Sequence, residues 1–561
     1  MHSTSELHVW HDSRAFRILS PRLSCYLSST GTTVATSERI VGTTGSSHRV
    51  SRHINSTHGI LPSLSKSQIS ESNPTPMIMK KAPGSSQALD HGKPKKTSTQ
   101  FCNEVGAALA MDLDGALTLS AGLQTQFQEA LKSNMACMLP SFNHQLPSGN
   151  EKGTFLALDV GGSTFRVALI ELLGRLSSTG RVGILGQKSF KITPEVKQLS
   201  GEKFFEWLAA KIEDTLETML PGSSDDELRM GLSWSFPIGQ TSLRSGLIQG
   251  LGKGFVGANS LLGQCLGDTL QQACNKRKLR VKLDAIVNDS NATLLAKAYS
   301  DPNARFSLIL GTGTNIAVQL PVNIFGMEKF GVRPESWHDV AENVLVNTEL
   351  SAFGKGYLPM TRWDDELNAM HERPDAEPFE YLVSGRYLGE IVRLIMVEAV
   401  RDAHLFGGEM LVSLLLPYTL DTEILSLIAA TDSVEESWKL FCAAYDGNDV
   451  VSDEDIVFIK TVCHHVSQRA IAVVAAGIHG LWCLRRESRE KTTSKDHDGE
   501  DDSTTIACDG SVIQSYPGFR AACERLVNRM VEDSVDVPHT LHLDMTFESS
   551  LVGAAVAVAC V

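Results

Sequence analysis

Hydrophobic residues recur periodically along most of the chain, but not in its first hundred positions. Residues 1 to about 100 are rich in Ser, Thr, Pro and Lys and show no hydrophobic period, so we expect a disordered N-terminal segment. Over residues 117–139 apolar side chains recur at helical spacing, and the pattern stops at Pro140. This pattern predicts a helical lead-in over residues 101–150.

Short apolar runs further along the chain end in polar or glycine-rich clusters. Residues 154–160 and 165–172 flank the turn Gly161-Gly162-Ser163-Thr164, which is the pattern of a β-hairpin with exposed backbone amides. Further strands, each followed by such a cluster, are predicted at residues 229–234, 283–287 and 306–310. Because ligand sites of α/β sheets gather where strands end, the pattern predicts an α/β protein with its site at these ends.

Helical spacing returns in two long stretches, residues 379–402 and 452–485. After the second, residues 486–505 (RESREKTTSKDHDGEDDSTT) are too polar to pack and predict a solvated loop. The length of 561 residues exceeds one comfortable hydrophobic core, which favours two lobes. We find no internal repeat, so the chain is expected to hold one functional unit rather than a duplicated one.

The composition of the chain restricts which binding partners and which cellular compartment are expected. A formal net charge of −14 argues against binding nucleic acid or an anionic membrane, and no apolar run is long enough for a transmembrane segment. The 11 scattered cysteines contain no CxxC, which favours a reducing compartment and predicts a cytoplasmic protein. Residues 1–70 are Arg- and Ser-rich and poor in acids, so mitochondrial targeting is the alternative. Cys463-His464-His465 lies in an apolar helical pattern and is expected to pack in the core rather than bind a metal.

From about residue 127 to the C-terminus, a series of motifs resembles the hexokinase family, most closely the fungal hexokinases and glucokinases. In chain order the motifs are MLPSFNHQLPSGNEKGTFLALDVGGSTFRVAL, SWSFPIGQTSLRSGLIQGLGKGF, VNDSNAT, LGTGTN, NTELSAFG, PFEYLVSGRYLGEIVRLI and DGSVIQSYPGFRAACERL. The resemblance implies a two-lobed actin-like ATPase (ribonuclease H-like) sugar-kinase fold with an interlobe cleft. It also implies a small domain over residues 151–290 and a large domain over residues 291–561.

The resemblance implies an ATP-dependent kinase that transfers the γ-phosphate of ATP to the 6-hydroxyl of glucose or a related hexose. Asp289 matches the family's catalytic base, and Lys253 is the second catalytic candidate. A sugar offers many hydroxyls and no charge, so carboxylates and amides suit its binding. The residues that match the family's sugar ligands are Ser235, Phe236, Lys253, Asn288, Asp289, Asn315, Glu349 and Glu380.

The phosphate side is expected to rely on backbone amides rather than a Walker loop, because GxxxxGK[ST] does not occur in the sequence. By resemblance, Mg²⁺ bridges the β- and γ-phosphates with no direct protein ligand, and Asp159 positions it through water. The predicted nucleotide-binding residues are Asp159, Gly161, Gly162, Ser163, Thr164, Arg166, Gly311, Thr312, Gly313, Thr314, Asp509, Gly510 and Ser511.

Several positions depart from the family pattern, namely Thr164, Gly252, Ala292, Ser549 and Leu551. Ser549 and Leu551 stand where the family has glycines, and a residue with a side chain at positive φ would strain the loop and weaken ATP binding. These departures keep an alternative open, a weakly active or non-catalytic hexokinase-like regulator or sugar sensor. Its N-terminal segment would then serve to bind a protein partner.

Overall fold

The computed structural model describes residues 96–178, 180–220, 227–251, 255, 260–445, 450–490, 502–536 and 538–561. Lys253 and Gly252 lie outside the described residues, as does nearly all of the segment predicted to be disordered. The helical lead-in begins slightly earlier than predicted, because Thr97 caps a helix that starts at Ser98. Thr97 and Gln100 form a reciprocal capping box there, which stabilises the first turn.

Strands and helices alternate through the described chain. The strands are β1 Leu139–Pro140, β2 Gly153–Val160, β3 Thr164–Leu172, β4 Val182–Lys191, β5 Leu228–Trp234, β6 Ile238–Ser242, β7 Ser245–Ile248, β8 Val281–Val287, β9 Ala304–Leu310, β10 Thr314–Pro321, β11 Asn343–Asn347, β12 Ser503–Asp509 and β13 Thr540–Met545. The helices are α1 Ser98–Leu109, α2 Leu113–Ser133, α3 Pro194–Lys197, α4 Gly201–Met219, α5 Leu266–Lys276, α6 Asp289–Ser300, α7 Glu335–Val340, α8 Arg362–Met370, α9 Pro378–Val383, α10 Gly385–Asp402, α11 Thr422–Ala430, α12 Val434–Tyr445, α13 Asp453–Glu490, α14 Ser511–Ser515, α15 Phe519–Ser534 and α16 Ser549–Ala559.

Two separate sheets form the centres of the two lobes. The small lobe has the order β4-β3-β2-β5-β8, in which β2 and β3 are the predicted antiparallel hairpin. The large lobe has the order β1-β11-β10-β9-β12-β13, with β9, β12 and β13 parallel. The hairpin and all three other predicted strands are therefore confirmed, with bounds that differ by a few residues at most.

Helices α6 and α16 join the two lobes through a shared hydrophobic core. This core takes Ala157 from the small sheet and Ala317 from the large one, together with the apolar side chains of both helices. The two helices touch backbone to backbone, because a Cβ on Gly553 of α16 would lie 1.9 Å from the carbonyl oxygen of Ala292 in α6. Only glycine permits that approach. The arrangement is the two-lobed α/β architecture that the sequence predicted.

The helical stretch predicted over residues 379–402 is broken into α9 and α10. The break lies at Ser384, where the backbone N–H of Gly385 donates to the carbonyl oxygen of Gly311 at 2.7 Å and that of Arg386 donates to Thr312 at 3.4 Å. Tertiary hydrogen bonds thus replace helical ones at this point. The hydrophobic period continues across the break, so the sequence pattern could not indicate it.

The solvated loop predicted over residues 486–505 is wrong at both of its ends. Helix α13 continues to Glu490, supported by the Arg486–Glu490 ion pair at 3.0 Å, and β12 already begins at Ser503. Residues 491–501 lie outside the described residues. Of the segment predicted to pack in the core, Cys463 is fully buried along α13 as predicted, His465 is half-buried, and the prediction is wrong for His464, whose side chain is exposed. None of the helices described is both long and apolar enough to cross a membrane.

Candidate active site

Asp289 lies at the edge where two parallel strands of the small sheet end. It is the first residue of α6 and is separated from β8 only by Asn288, whose side chain caps the helix by accepting from the N–H of Ser290 at 2.9 Å. Ser235, which follows the neighbouring strand β5, donates from its hydroxyl to Asp289 Oδ2 at 3.2 Å. The N-terminus of a helix favours negatively charged side chains, so this position suits a carboxylate that acts as an acceptor.

A chain of amides and carboxylates continues from this point into the large lobe. Asn315 in β10 donates from Nδ2 to Asn347 Oδ1 at 2.7 Å, and it lies 3.5 Å from the hydroxyl of Ser290. Asn347 in turn donates from Nδ2 to Glu349 Oε1 at 2.7 Å. The structure therefore brings together the predicted residues Asn315 and Glu349. It also adds Asn347, which the sequence analysis missed although it begins the motif NTELSAFG.

Glu349 has the left-handed backbone conformation, with φ 52° and ψ 51°. A residue other than glycine pays roughly 1–3 kcal/mol for such a conformation unless its surroundings hold it there. Here the side chain of Asn315 accepts from the N–H of Leu350 at 3.2 Å, and Glu349 itself accepts from the N–H of Ala352 at 3.1 Å. The strained backbone aims the Glu349 carboxylate at Asn347.

Glu380, a predicted sugar ligand, contacts the second glycine turn. Its Oε2 accepts from the backbone N–H of Thr314 at 2.9 Å. Gly313 lies so close that an added Cβ would be 2.7 Å from the same oxygen, and the turn is closed by a 2.9 Å bond from the N–H of Gly311 to the carbonyl oxygen of Gly313. The carboxylate predicted to hold sugar therefore also contacts the turn predicted to hold phosphate.

Phe236, another predicted sugar contact, is mostly buried in the core of the small lobe. Its ring packs edge-on against Phe255 with a centroid distance of 5.3 Å, and it lies 5.1 Å from the ring of Trp234. This aromatic cluster supports the end of β5 and the Ser235 that follows it. The packing explains why a large aromatic residue stands next to Ser235.

The first phosphate turn carries an ion pair across its base. Asp159 and Arg166 are direct partners in the β2–β3 ladder, and Asp159 Oδ2 accepts from Arg166 Nε at 2.9 Å and Nη2 at 2.8 Å. The guanidinium also donates from Nη1 to Glu548 Oε2 at 2.8 Å. Glu548 is a second residue that the sequence analysis did not assign to the site. At the tip of the turn, the N–H of Gly161 donates to the carbonyl oxygen of Thr164 at 3.0 Å.

The pKa values of both members of this ion pair are raised, for different reasons. Burial raises the pKa of Asp159, and the nearby Asp509 raises it further, although Arg166 acts in the opposite direction. Burial alone would lower the pKa of Arg166, but the carboxylates of Asp159, Glu548 and Asp509 raise it. These carboxylates therefore balance the charge of the Arg166 guanidinium, and no group of three or more potential metal ligands is found among the described residues.

The predicted nucleotide-binding residues 509–511 pack against the second glycine turn, residues 311–314. Gly510 has φ 117°, and an added Cβ would lie 2.4 Å from the carbonyl oxygen of Leu310, so glycine is required there. An added Cβ on Gly311 would lie 3.3 Å from the backbone nitrogen of Ser511, which begins α14. The structure thus places the two predicted nucleotide segments, 311–314 and 509–511, in direct contact.

The strain expected at Ser549 and Leu551 is not present. Both residues are helical members of α16, and the residue with a left-handed backbone in this segment is Glu548, with φ 48°. Leu551 is fully buried in the core shared by the two lobes and therefore does not block a nucleotide. Ala292, a further departure, is likewise buried in that core. The prediction that side chains at Ser549 and Leu551 strain the loop and weaken ATP binding is therefore wrong.

The fold and the site define a sugar kinase of the actin-like class. The family model described as Hexokinase matches in two parts, residues 102–299 and 305–560, which meet between α6 and β9. Hexokinase-2 of Oryza sativa subsp. japonica is 30% identical over 460 residues, covering 79% of this chain and 86% of its own length. The hexokinase of Schistosoma mansoni is 31% identical over 472 residues, covering 82% of this chain and 93% of its own length.

The fold is also similar to that of a solved hexokinase structure. The hexokinase from Schistosoma mansoni complexed with glucose superimposes with a TM-score of 0.70 and 26% identity, covering 83% of this chain and all of that one. The chain belongs to the hexokinase family, whose members are ATP-dependent kinases of hexoses. The proposed division into domains at residue 290 stays a prediction.

Proposed function

We propose that this protein is an active hexokinase that transfers the γ-phosphate of ATP to the 6-hydroxyl of glucose or a related hexose. The observation that carries the proposal is the Asp289 carboxylate at the start of α6, 3.2 Å from the hydroxyl of Ser235. In this role Asp289 accepts the proton of the sugar hydroxyl as its oxygen attacks the γ-phosphorus. A general base of this kind contributes about 10²–10⁴-fold in rate.

The remaining polar side chains orient the sugar. Glu349 and Glu380 accept hydrogen bonds from ring hydroxyls, and Asn315 both donates and accepts. Asn347 joins Asn315 to Glu349 by hydrogen bonds, and the backbone N–H of Thr314 holds Glu380, so these groups are in place before the sugar arrives. Such preorganisation lowers the entropy cost of binding and keeps the 6-hydroxyl in a reactive position. Lys253 keeps its predicted role as a second catalytic residue.

ATP is expected to bind along the two glycine turns, whose amides and hydroxyls suit phosphate oxygens. Arg166 offsets part of the phosphate charge. Asp159 would position the Mg²⁺ carried by the nucleotide through water, with no direct protein ligand. When bound, Mg²⁺ supplies charge neutralisation across the β- and γ-phosphates.

A coupled assay for glucose 6-phosphate with purified protein tests the proposal, beside calorimetric binding of glucose. We expect turnover at about 1–100 s⁻¹, as for ordinary kinases. Xylose, which lacks the 6-hydroxymethyl group, is the matched control and should bind without being phosphorylated. Glucose binding with no turnover would instead select the regulator or sugar sensor, an alternative that none of the family matches favours.

We further propose a cytoplasmic location, which the scattered cysteines support. The Arg- and Ser-rich N-terminal segment keeps mitochondrial targeting, or a protein partner, as the competing proposal. Imaging the full chain beside a chain lacking residues 1–95, each with a fluorescent C-terminal tag, distinguishes them. An unchanged cytoplasmic signal supports the proposal, whereas mitochondrial signal only with the segment present contradicts it.

A further inference from the structure

Ser549 is fully buried at the first turn of α16, with its hydroxyl between two other elements of the candidate site. This hydroxyl donates to Oδ2 of Asp509, the last residue of β12. On its other side, Ser549 Oγ lies 2.9 Å from the hydroxyl oxygen of Thr293 in α6. Ser549 gives its single proton to the carboxylate, so the Thr293 hydroxyl, which donates to the carbonyl oxygen of Asp289, shares its proton with Ser549 Oγ in the second bond.

Thr293 stands one helical turn after Asp289, and its hydroxyl also lies 3.0 Å from the carbonyl oxygen of Asp289. The contacts therefore run from Asp509, a predicted nucleotide-binding residue, through Ser549 and Thr293 to the backbone of Asp289, the predicted base. Helices α6 and α16 are in backbone contact at Gly553, so neither can slide without displacing the other. The hydrogen bond between Thr293 in α6 and Ser549 in α16 lies one helical turn from the contact at Gly553 and fixes the register of the two helices.

The direction of the Asp509 carboxylate matters for phosphate binding. Asp509 is close enough to Asp159 and Arg166 to change the electrostatic environment of both. Without the Ser549 hydroxyl, the Asp509 carboxylate is free to turn toward the Arg166 guanidinium. It would then compete with the phosphates of ATP for the same positive charge.

We propose that Ser549 is a positioning residue that fixes the Asp509 carboxylate and ties the nucleotide loop to α6. By resemblance the family has glycine here, which offers no hydroxyl, so this contact belongs to the present chain. The inference rests on the proposed function, because it assigns Ser549 to the nucleotide half of that same site. It also reverses the expectation that a side chain at this position weakens ATP binding.

The test compares Ser549→Ala and Ser549→Gly, which remove the hydroxyl, with Ser549→Thr, which keeps it. Loss of a hydrogen bond to a charged group should raise the KM for ATP about tenfold or more in the first two variants. The KM for glucose should stay within about twofold, and Ser549→Thr should resemble the wild type in its KM for ATP. Affinity for the magnesium complex of a non-hydrolysable ATP analogue should follow the KM for ATP.

Ser437→Ala is the matched control for loss of a buried serine hydroxyl. Ser437 lies in α12, donates to the carbonyl oxygen of Ser433 at 2.8 Å, and is fully buried outside the site. Its variant should lower the melting temperature without changing either KM. A double-mutant cycle of Ser549→Ala with Thr293→Val should be non-additive in the KM for ATP, since the two hydroxyls act through one bond.

Two results would overturn the inference. One is an analogue affinity that stays within about twofold of wild type in both Ser549→Ala and Ser549→Gly. The other is a Ser549→Ala variant that loses only stability, as Ser437→Ala does. A wild-type chain that binds the analogue without phosphorylating glucose would contradict the proposed function alone, because the analogue affinities would still decide the role of Ser549.

Discussion

Arg166 Nη1 lies 2.8 Å from Glu548 Oε2, and this ion pair joins the first phosphate hairpin to the start of α16. The same guanidinium holds the buried carboxylate of Asp159. Arg166 is proposed to offset the charge of the phosphates, and in the structure it already pairs with the carboxylates of Asp159 and Glu548. Its removal would leave those acids facing the phosphates with no compensating charge.

We therefore predict that Arg166→Met raises the KM for ATP roughly 10- to 100-fold and lowers the melting temperature, because Asp159 becomes a buried charge without its partner. Arg166→Lys should recover only part of the loss, since an ammonium group cannot bind two carboxylates in the planar geometry of a guanidinium. Steady-state kinetics and thermal unfolding measure both effects. Arg277→Met, which breaks an exposed ion pair with Glu213, is the control and should change neither. Equal effects of the two variants would contradict the assignment.

Leu551 gives a prediction about stability rather than catalysis. Because its side chain is fully buried in the core between the lobes, Leu551→Ala should lower the free energy of unfolding by about 2–5 kcal/mol. Leu551→Gly, the residue of the family pattern, should cost still more and should not lower the KM for ATP. Urea unfolding with parallel kinetics checks this, with the exposed Leu176→Ala as control. Tighter ATP binding in Leu551→Gly would show that leucine does obstruct the nucleotide.

His479 predicts how stability depends on pH. It is buried in α13 between the hydroxyls of Ser120, 2.9 Å from Nδ1, and Ser534, 3.1 Å from Nε2, and burial lowers its pKa to about 4. The unfolded chain, with a pKa near 6.5, binds the proton first, so folding stability is complete above pH 6.5 and falls as the pH drops toward 4. The loss is on the order of 3 kcal/mol.

Chemical unfolding at several pH values measures this dependence. His479→Gln should be less stable near pH 7, because it perturbs two buried hydrogen bonds, yet it should lose less stability on acidification. The exposed His464→Gln is the control and should keep the full acid dependence. An unchanged pH profile in His479→Gln would exclude His479 as the source.

Sequence reasoning succeeded where interacting residues are close along the chain. The β2–β3 hairpin and the glycine turns are local, so spacing and turn chemistry indicate them. It failed where partners are distant. Glu548 meets Arg166 from 382 positions away and Ser549 meets Thr293 from 256, and no periodic pattern links such pairs. The same limit explains why a family departure at Ser549 was interpreted as strain, although the structure shows it as a hydrogen bond.

The measurement that tests the account most directly is the kcat of Asp289→Asn in the coupled assay. Asparagine keeps the size of the side chain and its contact with Ser235, but it cannot take the proton of the sugar hydroxyl. The account predicts a fall in kcat of about 10²-fold or more, with glucose affinity and melting temperature close to wild type. A variant that keeps more than about a tenth of the wild-type kcat would contradict Asp289 as the general base.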